Sequence, residues 1–262
     1  MNILWVLAHP DSRSLTAALH REGIAELTAA GHHVEVSDLY AMKWNPVVDA
    51  GDYGSGRDER LLVGPASRQA LEDGTLSPDI RAEQDKLDRA DLVVLQFPLW
   101  WFGMPAILKG WVDRVFIKGY AYSLPDPERP GRSLRYGTGG LAGKRALAVV
   151  TVGGAPEGYE PRGIDGALEH LLFPLLHGTF FYTGMAPLPP VAIYNANHMS
   201  DQDYKAAAAE LRARLRDADK AEPIPYRTQN GGDYDNRMIL RPDVATDRTG
   251  LDAHVQVRSP VG

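Results

Sequence analysis

Short apolar runs alternate with longer amphipathic stretches through most of the chain. Ile3 to Ala8 is apolar without interruption, the pattern of a central parallel strand. Leu15 to Ala29 has helical spacing, and Gly31 stands where a helix would stop. His33 to Asp38 alternates and reads as strand two. Leu39 to Ser77 is polar and dotted with Gly and Pro, so an excursion with short helices is expected there. Ser77 then offers an N-cap and Pro78 a first-turn residue for a helix running to about Ala90. Strand three follows from Leu92 to Phe97, and a helix from about Pro105 to Phe116. Ser123 to Gly143, rich in Pro, Gly and Arg, reads as a long loop. Lys144 to Val152 is strand four. Gly163 to His177 reads as a helix kinked at Pro174, Phe180 to Met185 as strand five, and Asp201 to Leu215 as a last amphipathic helix. Beyond it periodicity fades. Residues 1–218 are read as one domain, and 219–262 as an extension that packs on a partner subunit or is partly disordered.

This rhythm implies an α/β fold: a five-stranded parallel sheet with helices on both faces and right-handed crossovers. Five strands fit the order 2-1-3-4-5 better than a six-stranded dinucleotide fold. The first turn also lacks G-x-G-x-x-G. Composition then narrows the chemistry. A net charge of −6 argues against nucleic acid as a partner. No run approaches the roughly 18 apolar residues of a membrane span, and the N-terminus reads as a strand and not as a signal peptide. A cytoplasmic location and no stable membrane insertion are expected. The absence of cysteine excludes disulfides, thiolate nucleophiles and cysteine-ligated metals. The eight histidines show no ligand spacing, so no metal is expected. Redox chemistry here needs an organic cofactor.

Three segments at the carboxyl ends of predicted strands carry candidate chemistry, and ligands of open α/β sheets bind at that edge. His9-Pro-Asp-Ser-Arg-Ser-Leu-Thr16 puts hydroxyls before a helix whose first amides are free, which makes a phosphate site. In the competing reading Ser14 or Thr16 only caps the helix. Leu99-Trp-Trp-Phe102 offers a flat apolar wall and loop amides, as a flavin ring needs, although core packing is the usual fate of aromatics. Thr151-Val-Gly-Gly154 adds a hydroxyl and a close backbone approach, or merely a turn. Pro105, Leu108, Trp111 and Val112 read as the packing side of the helix that follows.

The stretch Phe97-Pro-Leu-Trp-Trp-Phe-Gly-Met-Pro-Ala-Ile-Leu-Lys-Gly-Trp111 resembles the signature of the NAD(P)H:quinone oxidoreductases of the DT-diaphorase type. Ala8-His-Pro10, Leu76-Ser-Pro-Asp-Ile80 with Glu83-Gln84, Ala90-Asp-Leu92 and Thr151-Val-Gly-Gly154 with Tyr159 extend the match in order and spacing over residues 1 to 215. The resemblance implies a flavodoxin-like fold, bound FAD in preference to FMN, and a homodimer with active sites at the subunit interface. It also implies ping-pong hydride transfer from NAD(P)H to flavin N5 and on to a quinone or similar acceptor. By motif, His9, Ser14, Leu15 and Thr16 would hold the phosphates and ribityl chain. Leu99, Trp100, Trp101 and Phe102 would hold the ring, with Thr151, Val152, Gly153 and Gly154 on its polar edge. Tyr159 and Asp165 take the catalytic positions, while Tyr122, with Trp101 and Phe102, faces the substrate. Three positions depart from the family pattern. Trp100 replaces a glutamine, Leu124 replaces a second pocket tyrosine, and Asp165 replaces a histidine. A carboxylate at 165 would repel an anionic reduced flavin unless protonated. Two alternatives accompany this reading. One is a redox-sensing ancillary subunit of a potassium efflux system; the other is an FMN electron carrier.

Overall fold

A computed structural model describes residues 1–54 and 60–257. Parts of the predicted 39–77 excursion and of the C-terminal extension lie outside the described residues. The sheet is parallel and its order starts from β1 (Asn2–Leu7), flanked by β2 (His33–Asp38) and β3 (Leu92–Pro98). Next comes β6 (Arg145–Thr151), paired with β3 along its whole length. A small antiparallel pair, β4 (Leu124–Pro125) with β5 (Ser133–Leu134), punctuates the predicted long loop between them.

The fifth position of the sheet is where sequence and structure part. Phe180 to Met185 is not a strand. Helix α5 (Leu168–Leu171), α6 (Phe173–Leu175) and a π-helical turn (Leu176–Phe181) form one continuous helical path. That path starts at Leu168 instead of Gly163 and overruns the expected strand. The fifth position is filled later by β7 (Ala186–Pro187) against the start of β6 and β8 (Val191–Ile193) against its end. Pro189 and Pro190 separate the two, because proline cannot donate to the ladder. The order 2-1-3-4-5 therefore holds, with the last position split.

Helices cover both faces. α1 (Leu15–Ala29) and α7 (Asp201–Arg216) close one side over a core that includes Trp5, Leu19, Leu27 and Leu211. α3 (Pro78–Arg89), α4 (Ala106–Val115) and the 168–181 path close the other over Phe97, Trp111 and Phe180. The excursion holds one regular helix, α2 (Val63–Asp73), and a 3-10 turn at Ala50–Tyr53. Gly110 lets α4 touch this excursion, since a Cβ there would lie 2.2 Å from the Pro46 carbonyl oxygen. In the described part of the extension, Tyr226 is buried and packs into the second of these cores.

Candidate active site

The carboxyl ends of β1, β3 and β6 meet at a cleft of about 460 Å³. His9, Ser14, Leu15, Thr16, Leu99, Trp100, Thr151 and Gly153 line it, together with Pro98, Ala196 and Asn197. The first three loops are those read from the sequence. Ala196 and Asn197 were missed. They follow β8, the true last strand, so placing strand five at 180–185 hid a fourth loop at the same edge. Asn197 Nδ2 would stand 3.1 Å from a Cβ on Gly153, so the glycine makes room for the amide.

The β1 loop is held by its own polar groups. His9 Nδ1 lies 3.1 Å from the Asp11 amide and 3.2 Å from the Asp11 carbonyl, which fixes the ring through one nitrogen. Arg13 is clamped on Asp11 through Nε at 3.1 Å and Nη2 at 3.0 Å, so it adds little net charge to the loop. That pairing holds the Asp11 carboxyl down at about 2. Ser14 is the N-cap of α1: its Oγ accepts from the Ala17 amide at 3.1 Å. Capping and ligand binding are not exclusive here, since an accepting hydroxyl keeps its proton to donate. Leu15 and Thr16 open the helix, and their amides have no intrahelical acceptor.

Beneath the cleft runs a buried polar chain. Trp5 Nε1 donates to Gln96 Oε1 at 2.9 Å, and Gln96 Nε2 donates to the Thr16 carbonyl at 2.8 Å. Thr16 Oγ1 lies 2.8 Å from Thr151 Oγ1, with both residues buried. One hydroxyl of this pair donates to the other, so a single proton remains for a ligand. The pair also ties the β1 loop to the end of β6. A glutamine inside an otherwise apolar strand was the sequence signal for this support.

The β3 loop has unusual backbone. Trp100 and Gly103 exchange two hydrogen bonds, at 3.1 and 3.0 Å, around a two-residue turn. Trp101 (φ 50°) and Phe102 (φ 59°) both occupy the left-handed region. Turns of this geometry favour Asn-Gly, and each bulky residue there costs on the order of 1–3 kcal/mol. The aromatics of this turn stand outward: Trp101 is 97% exposed, Phe102 48% and Trp100 44%. Their rings belong to no core among the described residues. His9 approaches Trp100 with ring centroids 6.3 Å apart.

At the β6 exit the four predicted residues divide. Val152 is buried, and its amide donates to the Ile193 carbonyl at 2.8 Å, so it packs the sheet and offers the cleft no amide. Gly153 and Gly154 have amides without an acceptor among the described residues. A Cβ on Gly154 would sit 3.0 Å from Tyr159 Cε2, so this glycine lets the tyrosine ring lie against the backbone. Tyr159 ends a 3-10 turn (Pro156–Tyr159) and contacts the Tyr194 ring at 5.7 Å. Burial, and then the Asp165 carboxylate, push its phenol upward. The Asp165 amide donates to the Gly158 carbonyl at 3.0 Å, which folds the 158–165 loop back beside Tyr159.

Tyr122 does not line this cleft; it packs near Tyr182, with ring centroids 6.3 Å apart. The Lys144 ammonium donates to the Asp88 and Ala90 carbonyls.

A flavin fits what is present. The cleft supplies unsatisfied amides at a helix N-terminus, one side of an aromatic turn whose rings face outward, and the Gly153 amide, with the Gly154 amide next along the chain. A profile described as flavodoxin-like fold matches residues 1–215. The chain is 46% identical over 235 residues to the ribosyldihydronicotinamide dehydrogenase-like protein traD of Penicillium crustosum, covering 89% of this chain and 87% of that one. Human ribosyldihydronicotinamide dehydrogenase (quinone) is 38% identical over 225 residues, 85% of this chain and 94% of that one. NAD(P)H dehydrogenase (quinone) 1 of Cavia porcellus is 39% identical over 85% of this chain and 79% of its own. Among solved structures, a candidate quinone reductase from Klebsiella pneumoniae superposes with a TM-score of 0.94 at 45% identity, covering 98% of this chain and all of that one. The chain belongs to the NAD(P)H:quinone oxidoreductase family, with its flavodoxin-like fold.

Proposed function

We propose that this protein is an FAD-dependent NAD(P)H:quinone oxidoreductase that works as a homodimer. A flavin held in the cleft by the residues lining it would supply two-electron hydride chemistry between NAD(P)H and a quinone, in two half-reactions. The observation that carries the reading is the convergence of unsatisfied donors from separate loops on one cleft. The Leu15 and Thr16 amides, the Ser14 hydroxyl and the positive end of α1 suit a diphosphate. His9 has its second ring nitrogen for the same group. The Gly153 and Gly154 amides suit the polar edge of the ring, where reduction places negative charge, and fixed donors stabilise developing charge without reorganising.

Tyr159, like any phenol, is protonated at neutral pH, and burial raises it further, so it acts as a hydrogen-bond donor. In this reading Asp165 acts through Tyr159, holding the phenol in that form. Trp101 and Phe102 stack against whichever planar substrate occupies the slot, and one slot for two substrates in turn suits a ping-pong cycle. A second copy covers their exposed rings and brings its own Tyr122 to the substrate side.

Steady-state kinetics test the activity. With NADH or NADPH varied at several fixed concentrations of a soluble quinone, double-reciprocal plots are expected to be parallel. Intersecting lines would contradict the two-half-reaction scheme, and an absence of turnover would contradict the enzyme.

A further inference from the structure

A second site lies outside the flavin cleft, between the β4–β5 hairpin and the C-terminal extension. Two adjoining cavities, of about 270 and 410 Å³, share Arg132, Gln229 and Asn236. Arg135 completes the smaller, while Arg129 and Arg241 stand in the larger. Among the described residues no carboxylate lines either, and none of the flavin-cleft residues does.

Several arginines elsewhere in this acidic chain pair with carboxylates: Arg89 with Glu35, Arg212 with Glu22, Arg227 with Asp233. Here neutral amides take that place. Arg135 Nε donates to Gln229 Oε1 at 2.8 Å, Arg132 Nη2 donates to Asn236 Oδ1 at 3.0 Å, and Arg129 donates to Asn230 Oδ1. Gln229 is itself buried, with its Nε2 donating to the Ser133 carbonyl at 3.1 Å. Asp126 in the hairpin is buried and accepts from the Glu128 amide at 2.9 Å and the Asn230 side chain at 3.3 Å. Asp233 and Asp235 are engaged by Arg227 and Arg237.

An amide oxygen orients a guanidinium without neutralising it. Three positive charges are therefore oriented around one space, with Arg241 lining it beside them and most of the guanidinium donors unused. A guanidinium fork matches phosphate oxygens two at a time. We propose that this double cavity binds the phosphate group of a small phosphorylated ligand. Two sources share that chemistry: the phosphate-bearing end of the NADPH donor, which rests on the quinone reductase reading, and a free phosphorylated compound, which does not.

The test uses flavin-loaded protein, so that the cleft cannot take up the probe, and inorganic pyrophosphate in isothermal titration. One saturable site per chain is expected. Binding should weaken at least tenfold in Arg132→Gln/Arg135→Gln and stay unchanged in Arg68→Gln, whose partner is the exposed Glu72. If the double variant fails to fold, Arg241→Gln, at an exposed side chain, provides the comparison with an expected loss of severalfold. Equal binding by wild type and arginine variants, or no saturable binding, would overturn the proposal. The source is read separately. Pyrophosphate that raises KM for NADPH and leaves KM for NADH unchanged identifies the donor; saturable binding that moves neither identifies a free ligand. A protein that binds pyrophosphate at these arginines but oxidises no NAD(P)H would sink the quinone reductase reading and leave this one standing.

Discussion

His177 is the side chain most at odds with its surroundings. It stacks on Phe173 with centroids 4.5 Å apart, lies 4.9 Å from both Tyr136 and Tyr226, and buries an Nε2 without a hydrogen-bond partner. Burial, and then the neighbouring His254, lower it to about 4. An unfolded chain protonates the same ring near its ordinary value of about 6.5. The folded state refuses a proton that the unfolded state accepts, so this contribution to stability is complete above about pH 6.5 and is lost as pH falls towards 4. His177→Phe keeps the aromatic stack and removes the titration. Urea midpoints should then fall less between pH 7 and 4.5 than in wild type, by up to about 3 kcal/mol in unfolding free energy. An unchanged pH dependence would remove His177 from the account. At this scale the cleft was largely legible, because hydroxyls, glycines and aromatics at strand ends announce themselves. What stayed hidden depends on register. Val152 sits among the motif residues yet turns into the sheet, and Asn197 was invisible until β8 had its true place.

Between elements, the clearest joint is Arg114 on α4. It is buried, pairs with Asp52 at 2.6 Å and Asp79 at 2.7 Å, donates to the Asn45 carbonyl at 3.0 Å, and lies 4.6 Å over the Trp44 ring. Four contacts from one guanidinium fasten the polar excursion, α3 and α4 together. Arg114→Met leaves Asp52 buried and unpaired, at a cost of about 3–5 kcal/mol. The expected fall in Tm is roughly 10 °C by scanning calorimetry, with the double change Arg114→Met/Asp52→Leu recovering part of it. The joint was unreadable beforehand, because nothing local marks a long-range ion pair. Element types were read well wherever periodicity was strong, as in β1, α1, β3, α4 and α7. The failure at Phe180 to Met185 has a physical cause: a short apolar run suits a buried helix and a buried strand equally. The helix won by continuing from Leu168, with Thr183 Oγ1 donating back to the Thr179 carbonyl at 2.8 Å. The prolines that split β7 from β8 concealed the real strand.

For the whole molecule, the sheet sets the geometry and the loops at one edge set the chemistry. The parallel order brings the ends of β1, β3, β6 and β8 to one side, whatever the loop sequences, and the fold was legible for that reason. The cleft gathers donors from several loops and is open on its aromatic side, with Trp101 almost wholly exposed in a single chain. The dimer we propose would close it. The measurement that bears most directly on the central claim is identification of the flavin released from freshly purified protein. The protein should be yellow, and heat or acid should release close to one FAD per chain, identified by chromatography. A colourless protein that takes up neither FAD nor FMN would contradict the account, and stoichiometric FMN in place of FAD would refute the cofactor assignment.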